Sequence, residues 1–130
     1  MAKRLGAKEL QQVLYNELSA IPGVSVYDNV PETAGMPYIK IGNISVEDNG
    51  TKTEYIDLHN VDIEIFSQYK GKKEVEEIAD SVYQILSVIN TKQGNFNIVY
   101  NGIEAEISQF DQDIYQASIS ADFIVEQEGE

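Results

Sequence analysis

The chain has 130 residues, with 22 Asp and Glu against 9 Lys and Arg, one histidine and no cysteine, for a net charge of −13. That length predicts a single domain over residues 1–130, frayed at 1–6 and 127–130, with enough chain to bury a core without staples. The missing cysteines exclude a disulfide framework, a thiolate metal site, an iron–sulfur cluster and a thiol nucleophile. The pI near 4.3 argues against a grip on nucleic-acid phosphates, which needs clustered Lys and Arg.

Lys3 and Arg4 are not followed by the apolar stretch of a secretory leader, and no run approaches the roughly 18 apolar residues of a membrane span. A soluble intracellular protein without membrane contact is therefore expected, and the sequons at Asn43 and Asn49 read as chance. In chain order, Leu10, Val13, Leu14, Leu18 and Ile21 lie on one helical stripe, which predicts a helix over Ala7 to Ala20 closed by Pro22 and Gly23. A short strand follows over Val24 to Tyr27, then a loop with Pro31, Gly35 and Pro37. From Tyr38 the period changes to two, with Ile39 and Ile41 on one side and Tyr38 and Lys40 on the other. The polar Glu47-Asp48-Asn49-Gly50-Thr51-Lys52 predicts a turn or hairpin tip, and Val61, Ile63 and Ile65 alternating with Asp62 and Glu64 predict a half-buried strand antiparallel to the one before.

Val75, Ile78, Ala79, Val82, Ile85, Leu86 and Ile89 form an unbroken helical stripe, so a helix over Lys72 to Ser87 should lie on the sheet, with acids in its first turns at the positive end of its dipole. The last third predicts a three-strand meander. Asn101-Gly102 is a two-residue hairpin signal that would pair Phe96 with Ile107 and Ile98 with Ala105. A second turn at Asp111 to Asp113 would oppose Ile107 with Ala117, Ala105 with Ile119 and Ile103 with Ala121. The expected class is α+β: two helices packed on a mainly antiparallel sheet, in the order helix, short strand, two strands, helix, three-strand meander.

Reactive constellations are scarce. His59 has no serine elbow or cysteine to activate and reads as a half-exposed strand or interface residue. Gly71-Lys72-Lys73 lacks the upstream glycine of a phosphate loop. The pairs Asp62 with Glu64, Glu104 with Glu106, and Asp111 with Asp113 are the kind of carboxylates that hold a hard cation or share acid–base work. Any wet strand face also contains such pairs, so no catalytic residue, metal ligand or cofactor is assigned. Tyr27, Tyr38, Tyr55, Tyr69, Tyr100 and Tyr115 fall near strand ends and loops, where a ring with a polar tip serves a core or an interface equally well.

Four pieces in order carry a family likeness: Val26-Tyr27-Asp28-Asn29-Val30-Pro31; Met36-Pro37-Tyr38-Ile39-Lys40-Ile41-Gly42; His59-Asn60-Val61-Asp62-Ile63-Glu64-Ile65-Phe66-Ser67; and Gly71-Lys72-Lys73-Glu74-Val75 with Ile78-Ala79-Asp80 and Leu86. From Leu10 to Leu86, with a fainter continuation to Phe123, the chain resembles the tail-completion proteins of long-tailed phages, also called tail terminators or head-to-tail joining proteins. Members of that family often have tryptophan where this chain has Phe66, and their final strands vary widely. The resemblance implies a non-enzymatic virion protein, assembled in the host cytoplasm, whose subunits form a homohexameric ring that caps the tail tube protein and receives a head-completion or connector protein. The expected docking loop spans Val46 to Ile56 and includes Glu47, Asp48, Asn49, Gly50, Thr51 and Tyr55; a second polar loop spans Asp28 to Met36.

The charge keeps other classes open: an acidic DNA mimic that inhibits a nuclease or repressor, a carboxylate-metal hydrolase, or another non-enzymatic phage assembly protein. Beyond Lys92 no basic residue follows, while Glu104, Glu106, Asp111, Asp113, Asp122, Glu126, Glu128 and Glu130 are all acidic. Glu104 and Glu106 are expected opposite Ser120 and Ser118 on a wet hairpin face, and in a ring that face would line the channel and repel passing DNA.

Overall fold

The apolar stripes of the two helices and the alternation of the strands find their partners in a computed structural model that describes residues 2–50 and 55–128. The elements are α1 (Ala7–Leu18), β1 (Ser25–Tyr27), β2 (Tyr38–Asp48), β3 (Ile56–Ser67), α2 (Lys73–Leu86), β4 (Asn90–Gln93), β5 (Phe96–Asp111) and β6 (Ile114–Gln127). The fold is α+β, as the patterning predicts. One six-stranded sheet runs β1-β2-β3-β6-β5-β4 and forms a half-barrel.

Both helices bury their stripes on the same sheet face. Leu10, Val13, Leu14 and Leu18 of α1 and Val75, Ile78, Ala79, Val82 and Leu86 of α2 pack over Ile39, Ile41, Val61, Ile63, Ile65, Ala117, Ile119, Ala121, Phe123 and Val125. Each fully buried aliphatic side chain contributes roughly 1.5–3 kcal/mol through apolar surface removed from water. Neither helix has a side-chain cap. Glu74 and Glu76 lie in the first turn of α2, at the positive end of its dipole, and Ser67 donates from its hydroxyl to Glu74 Oε1 at 2.6 Å, fixing the helix start to the end of β3.

Two expectations need correction. The sheet is mixed: β1 runs parallel to β2, because the long Asp28–Pro37 connection carries the chain back to start β2 at the same end as β1. The strands after α2 also begin elsewhere. The chain crosses to the far edge as β4, turns at Gly94-Asn95 into β5, and Asn101-Gly102 is no hairpin but a bulge inside β5, where the register moves from Tyr100↔Phe123 to Gly102↔Asp122. Gly102 has φ 129°, so the permissive backbone that suits a turn serves the bulge instead. A fold-back at this point would have paired only the few residues on either side of it. The uninterrupted strand pairs with β6 from Phe96 to Asp111 and buries Phe96 and Ile98. The second hairpin has the predicted register: Ile107↔Ala117, Ala105↔Ile119 and Ile103↔Ala121.

The described parts of the two terminal segments lie against each other and against the ends of β2 and β3. Lys3 Nζ lies 2.7 Å from Asp57 Oδ1 and 3.0 Å from Asp48 Oδ1, the Arg4 N–H donates to Gln127 Oε1 at 2.7 Å, and Gln127 Nε2 donates to the Ala2 carbonyl at 3.0 Å. The Arg4 guanidinium sits 4.9 Å over the Phe96 ring.

Candidate functional site

Among the described residues no helix covers the other face of the sheet, and its rows follow from the registers. Across β2, β3, β6 and β5 one row reads Lys40, Glu64, Ser118, Glu106, and the next carries Asp62, Ser120 and Glu104. A third holds Ser45, Asn60, Asp122 and Gly102. The central part is an open depression of about 590 Å³ lined by Asp62, Glu64, Glu104, Glu106, Ser118 and Ser120. The structure thus places Glu104 and Glu106 opposite Ser120 and Ser118, and it brings Asp62 and Glu64 to the same surface from the other side of β6. Five carboxylates and one lysine make the central rows strongly electronegative.

Neutral amides space these acids. Gln116 Nε2 donates to Glu64 Oε2 at 2.8 Å, and Asn60 Nδ2 donates to Ser120 Oγ at 2.7 Å and Asp122 Oδ1 at 2.8 Å. Among the described residues no group of three or more His, Asp or Glu side chains is placed to hold a metal ion. Nor is a helix among them long and apolar enough to cross a membrane.

Toward the β5–β6 turn the surface becomes aromatic. Tyr27, Tyr38, Phe66 and Phe110 follow one another at centroid separations of 5.8, 5.3 and 5.6 Å, and Phe110 is 61% exposed. Burial, with the nearby Glu64 charge, pushes the Tyr38 hydroxyl above its ordinary range. The tyrosines suited a core or an interface equally well in the sequence, and Phe110 carried no signal beyond its place beside a turn.

The expected docking loop is distributed differently. Glu47 and Asp48, expected in the turn, end β2 as strand residues level with Leu58 and Asp57. Asp48 accepts the Gly50 N–H at 3.0 Å and pairs with Lys3, and these two contacts hold its carboxyl below the usual carboxylate range. Asn49 donates its N–H to the Ile56 carbonyl, and the Tyr55 carbonyl accepts the Gln127 N–H. Thr51, with 52–54, lies outside the described residues. The Lys3–Asp57–Asp48 arrangement went unread in the sequence because its partners are far apart in the chain.

His59 corrects a further expectation. Expected as a half-exposed strand or interface residue, it is turned by its alternation with Val61 to the helix-side face, where it is 1% exposed between the neighbouring strand positions Val46 and Phe123. Neither ring nitrogen has a hydrogen-bond partner among the described residues. Burial holds its pKa below the ordinary value; the nearby Leu5 main chain and the Asp57 charge oppose this without a well-formed hydrogen bond. It is a buried core residue.

Against this geometry, the family model described as tail completion protein gp17 matches residues 9–125. A solved chain from a structure titled "Virion of native gene transfer agent (GTA) particle" is 21% identical, covering 92% of this chain and 96% of that one, with a TM-score of 0.80. A second solved chain, 15% identical over 100% of this chain and 99% of its own length, superposes with a TM-score of 0.64. These two likenesses are of fold. Among curated proteins none matches.

Proposed function

Because the chain belongs to the tail completion protein gp17 family, whose members are structural virion proteins of the phage tail, we propose that it forms a ring at the end of the tail tube and joins tail to head. The family match over residues 9–125 carries this reading. In it the protein works by association alone, with no catalytic step; six copies surround a channel, tube protein lies on one side and a head-completion or connector protein on the other. The docking element spans the 47–55 region, from the strand-end residues Glu47 and Asp48 through Asn49, Gly50 and Thr51 to Tyr55. The face bearing Glu104 and Glu106 is turned to the channel, where its charge keeps DNA from adhering.

Light scattering of the purified protein followed by electron imaging tests the reading. Rings of about six subunits are the expected result, and a strict monomer at every concentration would count against it. The density of carboxylates on the open face also favours a rival, a mimic of DNA. That protein would bind a basic partner as a monomer or dimer, with an affinity that falls steeply as salt is added.

A further inference from the structure

The sheet has two open edges, and they sit at diagonally opposite corners. On one side β1 covers β2 only along Tyr38–Lys40, so that among the described residues no strand pairs with the outer edge of Ile41–Asp48. On the other side β4 covers β5 only along Phe96–Val99, so that none of them pairs with the outer edge of Gly102–Phe110. No main-chain hydrogen bond from any other described segment reaches the outer side of either stretch. The two are similar in length, and neither contains the proline or lysine with which exposed edges are commonly blunted.

The side chains at these edges are unfinished in the same sense. Ile103, Ala105 and Ile107 point to the helix side of β5, and the sequence pattern predicts them buried, yet Ala105 is exposed and both isoleucines are only half-covered. Ile44 and Val46, on the helix side of β2, are half-covered as well. A strand added to either edge would cover these groups and satisfy a row of free N–H and C=O groups at once.

We propose that the open edge of β5 in one copy pairs antiparallel with the open edge of β2 in the next copy, with Val46 opposite Ala105 and Ile44 opposite Ile107. This rests on the ring reading above and names the surface by which copies meet. The corner placement decides the register. Within one chain Val46 is level with His59, Phe123 and Tyr100, so setting it opposite Ala105 slides the neighbour along β5 by about four residues, roughly 13 Å at 3.3 Å per residue. That slide carries the neighbour's β1 toward the β5–β6 turn and places β4 beyond the end of the neighbour's β2, so neither short strand blocks the contact. The parity also holds: aliphatic side chains meet on the helix side, and the acidic faces of the copies become one continuous surface. The contact joins two different edges, so it is head-to-tail and closes into a ring or extends into a filament rather than stopping at a pair.

Pairing in this register sets Glu47 beside Glu104, a like-charge contact that low salt exposes. The test therefore uses the full chain in about 0.5 M NaCl, where screening is within a few ångströms. The cysteine-free chain is given Val46→Cys and Ala105→Cys and treated with a mild oxidant. Inside one subunit β2 and β5 are three strand spacings apart, about 14 Å, too far for a disulfide. Any bond is therefore between copies. The expected result is a ladder of covalent multimers extending past the dimer, lost on reduction and absent from each single variant. A second pair, Val46→Cys with Ile107→Cys, covers a slip of two residues. Dimers from a single variant, or a ladder that stops at dimers, would mean that one edge pairs with itself and would overturn the proposal. Multimers by light scattering with no ladder from either pair would overturn it and leave the ring reading standing. A monomer with no ladder would overturn both.

Discussion

At the scale of single residues, two positions show the tertiary structure imposing what local pattern does not reveal. Gly6 precedes α1 with φ 79°, and a Cβ built there would lie 2.7 Å from Phe96 Cδ1. Gly6→Ala therefore meets both a left-handed backbone and a packed ring, and should destabilise the fold by roughly 2 kcal/mol or more, read as a lower denaturant midpoint. His59 is the second. Its pKa is lowered in the folded state, so the unfolded chain takes up a proton first as pH falls below the ordinary value of 6.5, and stability should decline from there downward. Urea midpoints at pH 7.5 and 5.5 check this. The wild type should lose stability between them, and His59→Phe should lose much less; equal losses would assign the effect to other groups. Asp48 and Glu128 have lowered pKa values, so the stability they contribute is present above the ordinary carboxylate range and disappears only in stronger acid.

At the scale of elements, β5 is the member whose course depends most on its neighbours. Its bulge keeps Phe96 and Ile98 in the core while the residues beyond Gly102 resume the alternation that faces Glu104 and Glu106 outward. Gly102→Val places a β-branched side chain at φ 129° and should cost on the order of 1–3 kcal/mol. A calorimetric melting temperature lowered by several degrees is the expected readout. In α2, Leu86 is fully buried where the last turn meets the sheet, and Leu86→Ala should cost about 2–5 kcal/mol through lost burial and the cavity left behind. The larger of the two losses is expected at Leu86, because a bulge can relax toward solvent and a core site cannot.

At the scale of the molecule, part of the charge of −13 gathers on one face of the sheet. The helices cover one side of the sheet, and Asp62, Glu64, Glu104, Glu106 and Asp122 gather on the other with Lys40 as the basic residue in their rows. In the ring reading the 47–55 region is a docking element distinct from the core. Asp48 is bound to Lys3 and ends a strand, so a deletion meant to spare the fold starts after it. Removing Gly50 to Thr53 should leave the circular-dichroism melt nearly unchanged and reduce the attachment of heads to tails in an assembly assay. Normal attachment by such a folded variant would remove this loop from the docking surface.

The sequence by itself determined the two helices, the faces they bury, the strand alternation and the register of the final hairpin, because each is set by side-chain period within one element or by a short turn. Leu10 through Leu18 and Val75 through Leu86 needed no partner to be assigned their inward side. The family likeness was legible for the same reason, as a succession of such local patterns. Only the tertiary structure decided the rest. Asn101-Gly102 satisfies a turn and a bulge equally, and pairing along the whole of β6 selected the bulge. His59 and Lys3 acquired their surroundings from residues distant in the chain. The joining of Asp62 and Glu64 to Glu104 and Glu106 required β6 to lie between β3 and β5, a fact of strand order that no local period contains.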